Sequence, residues 1–236
     1  MENIYNYVAE NVKRVQDEIN EVCIKYGRNP EDVILMGVSK TQPVEKLEVA
    51  YNAGIKVFGE NRVQELVQKA DFFQTHSVPC HIIGTLQTNK VKYLPPLTDT
   101  IQSVNSMKLA DEIEKQYGKA GKKANICLEI NIGNEDSKSG IPYSQAMEMV
   151  HKLSEYKNLT VKGLMCIPPI DDTEGVRKYF SQMHKLFVDI SGKKLDNIDM
   201  CILSMGMSGD YPWAIAEGST LVRVGTGIFG ARNYNV

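Results

Sequence analysis

Apolar residues in this chain arrive in short, nearly continuous runs, separated by longer stretches in which they recur three and four positions apart. The first pattern is that of parallel strands covered on both faces, the second that of amphipathic helices. Strand-like runs occupy residues 33–40 (VILMGVSK), 55–60 (IKVFGE), 80–86 (CHIIGTL) and 100–106 (TIQSVNS). Four more occupy 125–133 (NICLEINIG), 161–168 (VKGLMCIP), 200–208 (MCILSMGMS) and 220–230 (TLVRVGTGIFG). Helix-like stretches fall between them at 44–54, 61–73, 107–121, 143–156 and 174–191, and a long one over about residues 2–26 precedes the first strand. In 61–73, Val63, Leu66, Val67 and Ala70 share a face, while Gly54 and Gly121 mark helix stops. This alternation predicts right-handed crossovers and a parallel sheet, and eight strands predict a single-domain (β/α)8 TIM barrel over residues 1–236. Only six residues follow the last run, so the N-terminal helix is expected to cover the place of a closing helix. A doubly wound open sheet competes, but no dinucleotide-binding turn follows the first strand.

Composition narrows the function classes. A formal charge of −2 over 236 residues, with charged residues at 24% and no long block of one sign, argues against non-specific nucleic-acid binding, which needs a basic face. Length alone also allows two smaller domains, yet no linker or composition break divides the chain. No apolar stretch has the length of a membrane span. The opening MENIYNYVAENVKRVQDEINEV is acidic and amphipathic rather than charged-then-apolar, so a cytoplasmic location without a membrane partner is expected. Cys23, Cys80, Cys127, Cys166 and Cys201 form no CxxC pair and are expected to be buried free thiols. His76, His81, His151 and His184 lack metal-ligand spacing, so no metal site is expected.

In a barrel, chemistry belongs at the C-terminal ends of the strands. That rule gathers Lys40, Glu60, Asn61, Gln87, Asn89, Lys90, residues 131–138, residues 204–210 and Arg223 at one mouth. Gly206, Ser208, Gly209, Gly225, Thr226 and Gly227 would let backbone N–H groups approach a phosphate, although tight turns alone use the same residues. Asp210 is expected to cap a helix beginning near Tyr211, with Pro212 in its first turn. GTGIFG spells GxGxxG, but Val236 ends the chain before the helix and acidic residue of a dinucleotide site, so that reading is rejected. Arg223 interrupts TLVRV, where its guanidinium must meet either an acceptor on a neighbouring strand or a ligand at the mouth. Lys40 ends the first run. An exposed lysine, with a pKa near 10.4, is neutral in only about one molecule in a few thousand at pH 7. Desolvation at a strand end lowers that pKa and makes a nucleophile. Beside a phosphate nest, a neutral amine points to a Schiff base with a phosphorylated sugar or with pyridoxal 5'-phosphate (PLP). A lysine that merely snorkels to solvent is the plain alternative.

Taken in order, GVSKTQP, FGENRVQE, HIIGTLQTNK, NIGNEDSKSG, GLMCIPP, LSMGMSGDYPWAI and VRVGTGIFGAR resemble the motifs of the PLP homeostasis protein family, from about residue 30 onward. The resemblance implies a barrel of the alanine racemase N-terminal type with an extra N-terminal helix. It implies PLP as the cofactor, held as an aldimine on Lys40. Ser208, the backbone near Met207, Gly225 and Thr226 would hold the phosphate, Arg223 would face the pyridine nitrogen, and Asn61 would line the pocket near the ring. An arginine at that nitrogen makes PLP a poorer electron sink than an aspartate does. Racemases of this arrangement draw an opposing acid–base group from a second domain or subunit, and no counterpart is evident in this sequence. The implied function is therefore a non-catalytic PLP-binding protein of vitamin B6 homeostasis, with no catalytic residue; a PLP-dependent amino-acid racemase is the alternative. A Schiff-base aldolase explains Lys40 and the phosphate nest but leaves Arg223 unexplained. PLP-dependent apo-enzymes are implied as transient acceptors, and a monomer is expected. Lys138, in EDSKSG, reads either as a surface lysine or as a second, transient PLP site.

Overall fold

The computed structural model describes residues 4–135 and 138–231. Its strands are β1 (Ile34–Val38), β2 (Val57–Glu60), β3 (Cys80–Ile82), β4 (Thr100–Val104), β5 (Ala124–Asn131), β6 (Ile141–Pro142), β7 (Leu159–Cys166), β8 (Ile198–Met207) and β9 (Leu221–Val224). Strands β1 to β5 follow one another by parallel pairing, β5 pairs β7, and β9 pairs β1, which closes a barrel of eight strands. The two-residue β6 is an extension beside β5 that sequence periodicity is too short to register. Every strand-like run of the sequence contributes one barrel strand.

The helices are α1 (Asn6–Lys25), α2 (Val44–Asn52), α3 (Val63–Gln68), α4 (Ala70–Thr75), α5 (Met107–Lys119), α6 (Ala146–Leu153), α7 (Thr173–Ser191), α8 (Tyr211–Ala216) and α9 (Thr226–Phe229). Two carry side-chain caps: Ser106 Oγ accepts the Leu109 N–H at the start of α5, and Asp172 accepts the Gly175 N–H at the start of α7. Such caps contribute roughly 1 kcal/mol each. On α1, Val8, Val12, Val15, Ile19 and Cys23 form one buried stripe that packs toward α2, α8 and α9. This helix covers the seam between β9 and β1, the place expected for it, although residues 1–3 lie outside the described residues.

Strand alternation sorts the buried side chains into two layers. Phe58, Ile126, Leu128, Leu164, Leu203 and Val222 belong to the continuous core under the helices. Met36, Cys127, Met165 and Leu221 are buried apart from that core, in the barrel interior, with His81, Gln102, Ser204 and Arg223. The interior is tightly filled. A Cβ added at Gly59 would lie 2.7 Å from Met36 Sδ, so glycine on β2 makes room for the methionine on β1.

Two expectations need correction, and one segment had no reading in the sequence. The stretch 61–73 is two short helices rather than one, because Lys69 leaves helical geometry (φ −103°, ψ 7°) between α3 and α4. The segment after β3 forms a 3₁₀ turn over Thr88–Tyr93, and Pro95 and Pro96 follow it. Cys201 is exposed while the other four thiols are buried, and all five are unpaired. It lies in the first half of β8, whose residues alternate between exposed and half-buried before the strand enters the barrel.

Candidate functional site

At the C-terminal mouth of the barrel lies a cavity of about 270 Å³, near the lower end of the usual range for small-molecule sites. All seven residues expected to bind a cofactor line it: Lys40, Asn61, Met207, Ser208, Arg223, Gly225 and Thr226. They arrive from four directions. Lys40 follows β1, Asn61 follows β2, Met207 and Ser208 end β8, and Arg223 to Thr226 run from β9 into α9. Gln42, Ile83 and Ile167 also line the cavity and were missed in the sequence; only the proximity of Gln42 to Lys40 could have flagged it. Gln87, Asn89 and Lys90 are not part of this wall, and Lys90 instead borders a groove with Val63, Val67 and Tyr93.

The loop between β8 and α8, which carries Met207 and Ser208 into the cavity wall, is held in a tight conformation. Gly206 has φ +91°, and a Cβ there would meet Ala214 Cβ at 2.5 Å and Tyr211 Cα at 2.9 Å. Only glycine allows this approach of the loop to α8. Asp210 does stand at the N-cap position, but it does not cap the helix as expected. Its Oδ1 accepts the Met207 N–H at 2.5 Å while its own N–H donates to the Met207 carbonyl, so the carboxylate closes the loop on itself. Burial raises the Asp210 pKa, opposed by its hydrogen bond from Met207. Across the cavity, the N–H groups of Gly225 and Gly227 both approach Ser208 Oγ at 3.3 Å. The hydroxyl thus accepts from the nest and can direct its own O–H toward a ligand.

Arg223 resolves the sequence alternatives in an unforeseen way. It is 4% exposed, lines the cavity, and hydrogen-bonds to neutral acceptors instead of a carboxylate. Its Nη1 donates to the Ser204 carbonyl at 2.8 Å and to Ser204 Oγ at 2.6 Å, and its Nη2 donates to the Cys166 carbonyl at 2.8 Å. Burial pulls its pKa down from the usual guanidinium value. The chain of bonds continues through the barrel interior. Ser204 Oγ donates to Gln102 Oε1 at 2.7 Å, Gln102 Nε2 lies 2.8 Å from His81 Nδ1, and His81 Nε2 lies 3.5 Å from Asp99 Oδ2. With the amide donating to Nδ1, every donor in the series points from Arg223 toward Asp99. The His81 contact, chiefly, holds the Asp99 carboxyl below its ordinary value.

In the cavity wall, Asn61 Oδ1 is a buried polar atom without a hydrogen-bond partner among the described residues; so, on β5, is Glu129 Oε2. Desolvation raises the Glu129 pKa, and the Arg223 charge works against that rise. Glu60, grouped with Asn61 at the end of β2, does not face the cavity. Its Oε1 accepts from Ser39 Oγ and from Lys69 Nζ, both at 2.7 Å, on the helix side of the barrel. Lys138 pairs with Glu135 at 2.6 Å and donates to the Pro168 carbonyl at 3.1 Å, an arrangement of the outer loops; the adjoining Asp136 and Ser137 lie outside the described residues, as does Arg232.

The family profile described as alanine racemase, N-terminal domain, matches residues 10–233. A protein of Aquifex aeolicus named pyridoxal phosphate homeostasis protein is 40% identical over 227 residues, covering 96% of this chain and 99% of that one. The protein of the same name from Escherichia coli K12 is 38% identical over 233 residues, covering 98% and 99%. Among solved structures, a protein of unknown function from Bifidobacterium adolescentis superposes with a TM-score of 0.92 at 34% identity, covering 97% of both chains. PipY of Synechococcus elongatus, solved with PLP bound, gives 0.81 at 30% identity, covering 94% of this chain and 100% of that one. An alanine racemase from Enterococcus faecalis shares the fold alone, with a TM-score of 0.68 at 16% identity over 58% of its length. From its match to nearly whole relatives, the chain belongs to the pyridoxal phosphate homeostasis proteins, a family built on the alanine racemase N-terminal barrel.

Proposed function

We propose that this chain is a PLP-binding protein of cytoplasmic vitamin B6 homeostasis that holds the cofactor reversibly and performs no catalysis of its own. The observation that carries the reading is the convergence on one cavity of an amine, an N–H and hydroxyl cradle, and a buried guanidinium. The unpartnered Asn61 Oδ1 in the same wall supports a polar ligand there, since a buried acceptor left without a donor costs about 1–3 kcal/mol. PLP supplies an aldehyde that a neutral amine captures reversibly, with loss of water.

Each residue then has a role that its surroundings favour. Lys40 provides the amine. Ser208, the backbone near Met207, Gly225 and Thr226 hold the phosphate. Arg223, fixed on three oxygens, faces the ring nitrogen with N–H donors, and Asn61 meets the polar edge of the ring. A guanidinium has no acceptor and does not surrender its proton, so the ring nitrogen stays unprotonated and the ring withdraws electrons weakly. Binding and release need nothing further; the chain acts as a monomer, and PLP-dependent apo-enzymes are its transient acceptors.

The test is the visible spectrum of purified protein with added PLP, followed by borohydride reduction and peptide mapping. A reduced adduct on Lys40, lost in Lys40→Ala, is the expected result. An adduct scattered over surface lysines refutes the assignment. Racemisation of amino acids by the pure loaded protein, abolished in Lys40→Ala, would overturn the non-catalytic part and favour the racemase reading.

A further inference from the structure

Lys40 stands between two residues that are held from the helix side of the barrel. Ser39, fully buried, receives the first set of contacts. Its N–H donates to the Gly59 carbonyl at 3.0 Å, its Oγ donates to Glu60 Oε1 at 2.7 Å, and its carbonyl accepts from Lys69 Nζ at 2.8 Å. Thr41, on the other side, donates its N–H to Glu65 Oε2 at 2.6 Å. Lys69 joins the two anchors, since its Nζ lies 2.7 Å from Glu60 Oε1 and 3.8 Å from Glu65 Oε2.

Two further observations set this cluster apart from ordinary core packing. Thr41 has φ +60°, a left-handed conformation that a β-branched side chain adopts only under constraint. Glu65 supplies the acceptor that stabilises this turn. The lysine is itself unusual: Lys69 is 7% exposed, placed where the α3–α4 stretch breaks, and its ammonium is spent on Glu60 and on the backbone carbonyl immediately before Lys40. Neither Lys69 nor Glu65 lines the cavity.

The geometry points to Lys69 and Glu65 as positioning residues for Lys40: from behind β1 and β2 they hold the backbone on both sides of it and so fix the direction in which its amine enters the cavity. The inference rests on the reading of Lys40 as the capturing amine. A misplaced reacting group loses on the order of a hundredfold in rate for a displacement near 1 Å, so a clamp on the backbone of a long, flexible side chain has a measurable effect.

The decisive variants are Glu65→Ala, which removes the acceptor for Thr41, and Glu65→Gln, which keeps an amide oxygen for it; both leave the Lys69–Glu60 pair in place. Lys69→Met is the harsher companion. The first readout uses the protein without PLP: competitive labelling by trace acetic anhydride, with the reactivity of each lysine followed against pH by mass spectrometry. The second is the rate of adduct formation on Lys40 with added PLP. Glu65→Ala is expected to shift the labelling profile of Lys40 alone and to slow adduct formation about tenfold or more, with Glu65→Gln restoring both to within about twofold. A merely structural role would raise the labelling of buried Lys69 together with that of Lys40. Unchanged Lys40 profiles and rates in folded Glu65→Ala overturn the clamp, and so does a loss that Glu65→Gln fails to restore. If the unmodified protein itself forms no Lys40 adduct, the functional reading fails instead, and the two failures are told apart.

Discussion

Replacing Gln102 with leucine tests whether the hydrogen-bonded series inside the barrel acts as a unit. Gln102 is fully buried and bridges His81 and Ser204. Leucine has nearly the same volume, so the packing of the interior changes little, but two polar atoms lose their partners: His81 Nδ1 and the Ser204 hydroxyl hydrogen. Leaving a buried group unsatisfied costs about 1–3 kcal/mol, giving roughly 2–6 kcal/mol for the two. Burying leucine in place of an amide returns part of this, so the net loss is about 2–4 kcal/mol. For a chain of this size each kcal/mol is worth roughly 2–4 °C, and the melting midpoint should fall by about 4–16 °C. The double-mutant cycle with Ser204→Ala then isolates the bond between the two residues. Once Ser204 has lost its hydroxyl, Gln102→Leu strands one atom fewer, so urea denaturation followed by circular dichroism should give a coupling of about 1–2 kcal/mol. Additivity within about 0.5 kcal/mol would refute the argument, because independent sites add to within that margin. The functional counterpart is Arg223, which holds its position partly through Ser204 Oγ at 2.6 Å. Ser204→Ala should therefore weaken PLP binding even in protein that remains fully folded.

Three shorter predictions concern the surroundings of the cavity. Asn11 Nδ2 on α1 donates to the Ile228 carbonyl at 3.0 Å, with Tyr7 and Arg14 on the neighbouring carbonyls of Phe229 and Gly227, so Asn11→Ala should release PLP faster in a stopped-flow transfer to an excess of apo-enzyme. Glu129 has its folded pKa raised, chiefly by desolvation, so its contribution is present at low pH and lost as pH rises through that value. Glu129→Gln should accordingly gain stability relative to the parent at pH 8 and show little or no gain at pH 4, measured by urea denaturation at each pH. Gly59→Ala places a methyl 2.7 Å from Met36 Sδ and 3.0 Å from Ile83 Cδ1, and overpacking of this kind costs about 1–3 kcal/mol. Met36→Ala in the same chain should recover part of that loss in thermal denaturation.

The legible part of this molecule is the part with a period. Eight apolar runs in alternation with amphipathic stretches are enough to predict the barrel, since parallel strands covered on both faces have few other solutions. Lys40 and Arg223 stood out because each places a charge within or at the end of such a run, where it needs a reason. Ser208 and the glycines stood out because an anion nest requires small residues. The Asp210 carboxylate was misread because a helix cap and a closed loop use the same residue at the same place; only the position of the Met207 N–H, 2.5 Å away, separates them. The series from Arg223 through Ser204, Gln102 and His81 to Asp99 was illegible for a different reason. Its members lie on four strands and one strand entry, and their meeting depends on the shear of the closed sheet, which no local pattern encodes.

The same alternation explains why the cluster behind Lys40 escaped sequence reasoning although its members adjoin residues that were singled out. Side chains at the end of a strand switch sides with each step. Ser39 faces the helices and Lys40 the cavity; Glu60 faces the helices and Asn61 the cavity. At the mouth, then, β1 and β2 each end in a pair made of one helix-facing polar residue and one cavity-facing polar residue. The helix-facing members are joined to each other directly and through Lys69. The arrangement binds the ends of the two strands together independently of any ligand, at the cost of burying a lysine and a glutamate. A buried ion pair adds little net stability compared with an apolar replacement, because desolvation of both charges offsets their attraction. Its presence here is accounted for better by what it holds in place. Replacing Lys69 and Glu60 together with apolar residues of similar size, with Ser39→Ala to remove the buried hydroxyl that would otherwise lose its acceptor, should thus leave the melting midpoint nearly unchanged or raise it, while adduct formation on Lys40 slows. Equal loss of stability and of Lys40 reactivity would instead mean that the pair serves the fold alone.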